Sequence, residues 1–282
     1  MSIISYFKES FRRKKARRIT MEYPAKLDTF QLKDEGKIEF YNWDNPLVSP
    51  VAITQEKVDF YKQFIKKGDM VIDIGANTGD TTVPMALAAG ANGITLGFDP
   101  NPYVFKLLEK NAALNPNKQN IVTLPYAITV KEEEYFYISS EASFSNGGIS
   151  PTSDSAHGKF IYPEKIKGVN LLDFLQINYP GNLEKLSFIK IDTEGYDKEI
   201  IKSITDLILK YKPTLIAESF AHSNPAERIE LFDLVKGLGY DLYYFEDFLS
   251  TAKVIEIVSS EQLINWGRKS IDFYAVPKKN VG

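Results

Sequence analysis

Short β-branched, apolar segments alternate along this chain with longer segments in which apolar residues recur every three or four positions. The first pattern predicts buried strands of a sheet, and the second predicts amphipathic helices that cover it. The predicted strands are 70–74, 94–98, 121–124, 188–191, 214–217, 240–245 and 271–276. Alternation of this kind is typical of a doubly wound α/β fold, which binds its ligand beyond the carboxyl ends of its strands.

The turn after the first predicted strand is the feature around which the rest of the chain is expected to fold. Gly75 and Gly79 leave this turn with little side-chain bulk, and Asp73 stands at the strand end with its carboxylate directed into the crevice. Pro84 is tolerated only in the first turn of a helix, so a helix should begin within residues 80–82, any of which can cap it. The predicted order is strand, glycine turn and helix N-terminus.

The glycine spacing of this turn distinguishes between ligand classes. A dinucleotide site needs glycines at relative positions 0, 2 and 5, because the pyrophosphate rests on bare backbone at the helix N-terminus. Here the glycines fall at relative positions 0 and 4, and Asn77 occupies the second position. Asp73 would also repel a diphosphate, whereas it suits a cationic ligand with an amino group and a sulfonium. An NAD-dependent dehydrogenase is therefore disfavoured.

Carboxylates end four of the predicted strands, namely Asp73, Asp99, Asp192 and Glu218. Because a buried carboxylate is costly without a partner, each needs a ligand, a cation or a hydrogen-bond network. Asp99 lies 24 residues after Gly75, where an acid can accept hydrogen bonds from both ribose hydroxyls of an adenosine ligand. Stabilisation of the next helix N-terminus is the alternative role for Asp99, and the two roles are compatible.

The segment Asp73-Ile74-Gly75-Ala76-Asn77-Thr78-Gly79 resembles the first motif of class I S-adenosylmethionine (SAM) dependent methyltransferases. A second motif, Ile191-Asp192-Thr193-Glu194-Gly195, lies further along the chain and is followed by Pro213 and Glu218. With these residues, the chain resembles the FkbM family of O-methyltransferases over roughly residues 65–220.

Two positions depart from the pattern of that family. Asp99-Pro100 stands where members often have Glu-Pro, and Tyr196-Asp197 stands where a Glu often follows the glycine. Both departures keep an acid, the first one carbon shorter and the second shifted by one position.

The resemblance implies a Rossmann-like, mostly parallel seven-stranded sheet whose last strand is inserted antiparallel. It also implies a SAM-dependent O-methyltransferase that acts on a hydroxyl of a saccharide or secondary metabolite. The residues that it assigns to cofactor binding lie at predicted strand ends and in the turns that follow: Asp73, Gly75, Asn77, Gly79, Thr81, Asp99, Pro100, Ala127 and Asp192.

Methyl transfer to a hydroxyl requires alignment of the acceptor and removal of a proton. Asp192 is the first candidate for this role and Glu194 the second, while Glu218 or His222 could assist. Glu194 is alternatively a first-turn acid of the following helix, and His222 an ordinary loop histidine. Asp192 and Glu218 end adjacent strands and could hold a divalent cation, for which oxygen ligands favour Mg²⁺ or Ca²⁺; metal dependence stays open.

The charge of the chain is unevenly distributed. Residues 1–18 contain seven basic residues and one acidic residue, a net charge of +6, whereas the whole chain carries −3 and the remainder −9. Ile3, Ile4, Phe7 and Phe11 follow helical spacing within this segment. Residues 2–18 are therefore predicted to form an interfacial or partner-binding helix, with a solvated extension as the alternative. The acidic remainder disfavours a nucleic-acid methyltransferase, as does the absence of an Asn-Pro-Pro-aromatic element.

Residues 1–66 are predicted to form the basic helix and a cover segment that contains a hairpin at 29–43. Residues 67–282 form the predicted methyltransferase domain, in which the Ser- and Gly-rich segment 139–165 is either a mobile loop or a lid. The chain has no cysteine, which excludes disulfides and cysteine nucleophiles, and no apolar run of the roughly 18 to 20 residues that cross a bilayer.

We therefore expect a cytoplasmic protein that acts on a small-molecule or glycan acceptor and has no nucleic-acid partner. Peripheral contact with a membrane or a protein is expected through residues 2–18. A non-catalytic scaffold with the same fold, tethered by the basic helix, is the alternative to an enzyme.

Overall fold

The computed structural model describes residues 3–130, 135–140, 147–150, 160–193, 195–267 and 269–278. Its strands are β1 (Ala25–Leu32), β2 (Gly36–Trp43), β3 (Met70–Ile74), β4 (Ile94–Phe98), β5 (Ile121–Leu124), β6 (Ala127–Ile128), β7 (Tyr135–Ser140), β8 (Gly147–Ser150), β9 (Phe160–Ile161), β10 (Ile166–Val169), β11 (Leu186–Ile191), β12 (Thr214–Ser219), β13 (Tyr240–Phe245), β14 (Val254–Ile257) and β15 (Ile271–Pro277). Its α-helices are α1 (Ile3–Ala16), α2 (Gln55–Lys62), α3 (Thr82–Ala89), α4 (Pro102–Ala112), α5 (Leu171–Asn178), α6 (Asp197–Ser203), α7 (Thr205–Tyr211), α8 (Pro225–Gly237) and α9 (Ser260–Asn265).

The central sheet has the strand order β14-β13-β15-β12-β11-β3-β4-β5 in the described part of the chain. The strands from β12 to β5 run parallel, and β15 is antiparallel to both of its neighbours, β12 and β13. This arrangement confirms the predicted doubly wound, mostly parallel α/β sheet with its last strand inserted antiparallel. The expected number of strands is corrected from seven to eight, because β14 pairs antiparallel with β13 and becomes the edge strand.

The parallel strands are apolar because both faces of the sheet are covered. All five residues of β3 are buried, as are the last four residues of β4. The main apolar cluster packs Ile72 and Ile189 of the sheet together with Leu175 and Leu207 of the covering helices. Burial on both faces explains the near-continuous apolar runs by which these strands were recognised.

The predicted hairpin is confirmed as β1 and β2, and asparagine side chains fasten it to the region around α4. Asn111 accepts a hydrogen bond from the backbone N–H of Tyr41 (2.6 Å) and donates to its carbonyl (3.1 Å). Asn115 makes the same pair of bonds with Glu39, at 2.9 Å each. Asn111 also donates to the carbonyl of Thr78, 2.8 Å away, in the glycine turn. These side chains satisfy backbone groups that the sheet ladder leaves unpaired.

A smaller sheet contains β6, β10, β7 and β8 in that order, with β9 paired to β7. Strand β8 lies within the segment expected to be a mobile loop or a lid, and it pairs antiparallel with residues 137–140. The described part of that segment therefore contains sheet, while residues 141–146 and 151–159 lie outside the described residues. Its action as a lid stays a prediction.

The predicted N-terminal helix is present as α1, and its partner stays a prediction. Residue Ala16, at its end, is buried. None of the described helices combines the length and the apolar character that a bilayer-spanning segment needs.

The substitution Asn111→Ala should lower the free energy of unfolding by about 2 to 3 kcal/mol. It removes three hydrogen bonds and leaves the backbone groups of Tyr41 and the carbonyl of Thr78 without these partners. Urea denaturation followed by circular dichroism measures the change. Asn117→Ala is the matched control, because Asn117 is exposed in the connection after α4, and it should change stability by less than about 0.5 kcal/mol. Equal stability of the two variants would contradict the role given to Asn111.

Candidate functional site

A cavity of about 330 Å³ lies beyond the carboxyl ends of β3, β4 and β11. Its volume falls in the range of small-molecule sites, and its place is the one expected for a doubly wound sheet. Val48, Ser49 and Val51 of the N-terminal segment also line it, as does Ile138 of the smaller sheet. The cavity is therefore built from three parts of the chain that are distant in sequence.

Gly75 allows the ends of neighbouring strands to approach closely. Its φ is +79°, and a Cβ atom there would lie 1.9 Å from the carbonyl oxygen of Asp192. The N–H of Gly75 donates to the carbonyl of Phe98 (2.9 Å), and the N–H of Asp192 donates to the carbonyl of Ile74 (3.0 Å). A side chain at position 75 would separate the turn from β11, so glycine is required here.

Gly79 also has a positive φ, +95°, and its lack of a side chain allows α4 to pack against the turn. A Cβ atom at this position would lie 3.2 Å from Cδ1 of Leu108, a residue of α4. Gly79 is not among the described residues that line the cavity, and its contact with the cofactor stays a prediction.

Asp99 ends β4 at the cavity wall and is 7% exposed. One of its carboxylate oxygens accepts a hydrogen bond from the N–H of Asn77 (2.7 Å), and the other from the N–H of Asn101 (2.8 Å). Burial raises the pKa of Asp99 to about 7, although these two hydrogen bonds act in the opposite direction. Asp99 thus binds one backbone amide at the start of α4, the alternative role expected for it, and a second amide in the glycine turn. It also lies where ribose binding requires an acid.

Asp73 does not face the cavity, which corrects the expectation for this residue. It is completely buried, and its Oδ2 accepts hydrogen bonds from the hydroxyls of Thr81 (2.9 Å) and Thr82 (2.6 Å). Its Oδ1 lies 3.4 Å from Nζ of Lys190. Thr81 lines the cavity, but its hydroxyl points to Asp73 and makes no capping bond to α3. A buried carboxylate is costly without such partners, so these groups converge on it.

Lys190 is a site residue that the sequence analysis missed. Its side chain is 2% exposed, and Nζ lies 3.2 Å from Oδ2 of Asp192 as well as 3.4 Å from Asp73. Burial lowers the pKa of Lys190, but the negative charges of Asp192 and Asp73 outweigh this effect, so that the pKa is raised well above its usual value. The available signal was a single charged residue, Lys190, within a mostly apolar strand.

Asp192 connects this buried ion pair with the cavity. Its side chain is 46% exposed, although Lys190 holds one of its oxygens. Asp80 also lines the cavity, and burial raises the pKa of Asp80. Together with Asp99, three carboxyl groups and one ammonium group line the described cavity, a balance that favours a cationic ligand.

Part of the cavity lining is apolar and aromatic. Ala127, which was expected to bind the cofactor, belongs to this part, together with Phe98, Tyr126, Ile128 and Ile138. Such a wall suits the flat face of a nucleobase, while the carboxyl groups suit the polar parts of the ligand.

Glu218 and His222 do not join Asp192 in this cavity. Both line a second cavity, of about 340 Å³, beside the loop that follows β12. Burial raises the pKa of Glu218 to about 7, and the charges of Asp192 and Asp197 add to this effect. His222 is exposed and contacts the ring of Phe220, with 5.3 Å between the ring centroids. Glu218 and His222 were expected to assist Asp192, but they do not line the cavity to which Asp192 belongs.

Asp197 links the two cavities through hydrogen bonds. Its Oδ2 accepts from the N–H (3.1 Å) and the hydroxyl (2.7 Å) of Thr193, which lines the first cavity. Its Oδ1 accepts from the N–H of Glu218, 2.9 Å away. Burial raises the pKa of Asp197 to about 6. The acid at this position thus holds the loops after β11 and β12 together, whereas Glu194 lies outside the described residues.

The described residues give no support to a divalent cation at this site. Within them, no three His, Cys, Asp or Glu side chains converge as a group that could hold a metal ion. Asp192 and Glu218, the ligands considered for Mg²⁺ or Ca²⁺, line different cavities.

Most of the residues predicted to bind the cofactor are brought together by the fold. Asp73 and Gly79 lie beneath the turn, and the others line the cavity: Gly75, Asn77, Thr81, Asp99, Pro100, Ala127 and Asp192.

Comparison with known proteins gives similarities to methyltransferases. Residues 73–242 match the family described as methyltransferase FkbM domain. A probable cobalt-precorrin-6B C(15)-methyltransferase (decarboxylating) of Saccharolobus solfataricus is 40% identical over 153 residues, which span 50% of this chain and 74% of that protein.

Two solved structures of methyltransferases are among those that align with this chain. A SAM-dependent O-methyltransferase from Thermotoga maritima aligns with a TM-score of 0.43 and 10% identity, over 90% of this chain and 79% of the other. A methyltransferase FkbM from Methylobacillus flagellatus KT aligns with a TM-score of 0.42 and 12% identity, over 77% of this chain and 50% of the other. With TM-scores below 0.5, these two alignments carry no argument about fold or activity.

The substitution Lys190→Met should lower the free energy of unfolding by about 3 to 5 kcal/mol, because it leaves Asp73 buried without an opposite charge. The double variant Asp73→Asn/Lys190→Met should recover at least half of this loss, since neither buried charge then remains. Urea denaturation at neutral pH measures both variants.

Lys185→Met is the control for this pair, because Lys185 is exposed just before β11, and its effect should stay below about 0.5 kcal/mol. A double variant no more stable than Lys190→Met would show that the ion pair is not the source of the loss.

Proposed function

Because this chain belongs to the FkbM methyltransferase domain family, which its match over residues 73–242 establishes, we propose that it transfers the methyl group of SAM to a hydroxyl of a saccharide or secondary metabolite. That the protein is a SAM-dependent methyltransferase follows from the family. The choice of a hydroxyl acceptor is carried by one observation, the half-exposed carboxylate of Asp192 at the cavity.

The residues of the cavity fit SAM. Asp99 lies at the end of β4, where its carboxylate can accept hydrogen bonds from ribose hydroxyls in addition to those from two backbone amides. The apolar wall with Tyr126 and Ala127 suits the adenine ring. Asp80 supplies negative charge for the amino and sulfonium groups. When bound, SAM supplies an electrophilic methyl group.

Asp192 is proposed to bind the acceptor hydroxyl and to take its proton. Lys190 holds Oδ2 of Asp192 at 3.2 Å, while nearly half of the side chain stays exposed to the cavity. The carboxylate is thereby fixed in orientation and still accessible, as the geometry of a general base requires. Loss of the hydroxyl proton to Asp192 makes the acceptor oxygen more nucleophilic, and the fixed carboxylate also limits the directions in which that oxygen can approach.

The polar surroundings of Asp192 support an acceptor with several hydroxyls. Thr193 and Tyr196 line the same cavity next to it, and Glu218 lines the neighbouring one. Asp197 holds the two loops that carry these residues. Carboxylate oxygens accept hydrogen bonds from hydroxyls, and an aromatic side chain offers an apolar face, so a saccharide matches this combination.

Transfer to carbon is the second candidate, favoured by the 40% identity with the C(15)-methyltransferase over half of the chain. The two candidates differ in their need for a base at the acceptor oxygen. Analysis of the methylated product by mass spectrometry and NMR, with acceptors of both classes, distinguishes them.

Replacement of Asp99 and of Asp192 should separate binding from catalysis. Asp99→Ala should weaken SAM binding by at least about tenfold, because it removes the acceptor for the ribose hydroxyls. Asp192→Ala should retain SAM binding within a factor of about three and lose at least about a hundredfold in turnover, as expected for removal of a general base. Calorimetry gives the affinities, and transfer of a labelled methyl group gives the turnover.

Asp233→Ala serves as the control for both variants, because Asp233 is exposed on α8 away from the two cavities. It should leave affinity and turnover unchanged. If Asp99→Ala lost turnover but bound SAM normally, and Asp192→Ala did the reverse, the two roles would be overturned. Absence of SAM binding by the folded protein would overturn the proposed function itself.

The affinity for SAM should fall about tenfold between about pH 8 and about pH 6. Burial raises the pKa of Asp99 to about 7. Below that pH, the free protein must release a proton before both oxygens of this carboxylate can accept hydrogen bonds from the ribose hydroxyls. Calorimetry across this range measures the effect, and Asp99→Asn should abolish it. Glu218→Gln is the matched control, because the pKa of Glu218 is also about 7 but its side chain lines the other cavity; it should keep the pH dependence.

A further inference from the structure

Helix α1 turns one side toward the body of the protein. Ala16 is completely buried, and Nη2 of Arg12 lies 3.4 Å from both carboxylate oxygens of Asp44. Glu9 is partly buried. Since an α-helix has about 3.6 residues per turn, the positions 9, 12 and 16 lie on the same side of α1. This is the side by which α1 contacts the rest of the molecule.

The opposite side of α1 carries aromatic and basic side chains that are exposed. Phe7 and Phe11 are 66% and 71% exposed, and Lys14 continues the same side at the spacing of seven residues from Phe7. Lys15, beside them, is exposed as well. We call Phe7, Phe11, Lys14 and Lys15 the outer face of α1.

The charge around the outer face is strongly positive. Residues 1–18 have a net charge of +6, although the whole chain has −3. Two exposed phenylalanines within such a segment need an apolar environment and an anionic surface at the same time. Both are offered by the headgroup region of an anionic bilayer, where aromatic side chains enter the acyl boundary and lysines remain near lipid phosphates.

We propose that the outer face of α1 docks the protein onto an anionic phospholipid bilayer. A nucleic-acid duplex would match the lysines, but it offers no apolar interior for Phe7 and Phe11, and the net charge of −9 on the remaining chain would oppose its approach. The bilayer contacts only the outer face, so the acidic body can stay far enough from the bilayer for salt to screen the repulsion.

The cavity lies close to the docking helix. Arg12 contacts Asp44, and Val48, which lines the cavity, follows only four residues later. No more than about 15 Å of extended chain separates these two positions. A docked α1 therefore keeps the cavity near the bilayer surface, where an acceptor carried by a lipid would be within reach.

Vesicle binding by the full-length protein tests this proposal without methyl transfer. The probe is large unilamellar vesicles of equal parts phosphatidylcholine and phosphatidylglycerol, compared with phosphatidylcholine alone, in a co-sedimentation assay. Binding to the anionic vesicles should exceed binding to the neutral ones by at least about tenfold. It should weaken when NaCl is raised from about 0.1 M to about 1 M, because the screening length falls from about 10 Å to about 3 Å.

Two variants separate the apolar contribution to vesicle binding from the electrostatic contribution. Phe7→Ser/Phe11→Ser and Lys14→Glu/Lys15→Glu should each reduce vesicle binding by at least about tenfold, because each removes one of the two interactions with the bilayer. Calorimetric SAM affinity should be unchanged in both.

The matched controls make the same changes elsewhere on the surface. Ile177→Ser/Leu209→Ser removes two other exposed apolar side chains, 77% and 49% exposed, and Lys185→Glu/Lys253→Glu makes the same change in net charge. Both should bind vesicles like the wild type. The proposal is overturned if the wild type does not prefer anionic vesicles, if the α1 variants bind as well as the controls, or if α1 binds a DNA duplex or a protein and not the vesicles. None of these results would affect the assignment of SAM binding.

Discussion

The buried ammonium group of Lys190 is the interaction on which the arrangement of the site depends. It lies between Asp73, which is completely buried, and Asp192, whose side chain reaches the cavity. An unpaired charge in this interior would cost several kcal/mol, so each of the three groups restricts the positions of the other two. Asp73 in turn accepts hydrogen bonds from Thr81 and Thr82 at the start of α3. The turn after β3 and the end of β11, which both contribute residues to the cavity, are thereby held in one geometry.

The acids around the cavities lower the stability of the protein without ligand. Burial raises the pKa values of Asp99 and Glu218 to about 7 and that of Asp197 to about 6. Because the folded state holds these protons more tightly than the unfolded state, this contribution to stability falls as the pH rises from about 4 to about 7. A cationic ligand offsets the same charges. The buried acids that give the site its negative charge therefore reduce the stability of the protein without ligand.

The N-terminal segment connects the proposed docking helix with the site. Asn42 pairs its amide with the backbone of Val51, a cavity-lining residue, at 2.7 and 2.9 Å, and Asn111 joins the hairpin to the glycine turn. The segment is thus bonded to the same turn that lines the cavity. A protein held at a bilayer by α1 would present this cavity to acceptors near the lipid surface, which is consistent with a saccharide carried by a lipid.

The sequence by itself determined the class of fold, the glycine turn and the strand ends that carry Asp99 and Asp192, because apolar periodicity, glycine and proline act locally. It did not reveal that Asp73 is buried, that Lys190 lies between two carboxylates, or that Glu218 belongs to a second cavity, since these facts depend on which strands become neighbours and on where their side chains meet. Likewise, helical spacing predicted α1, but only the packing of Ala16 against the body decided that Phe7 and Phe11 face outward. Local conformational preferences depend on short segments of the sequence, whereas the tertiary fold determines which group becomes the partner of a buried charge.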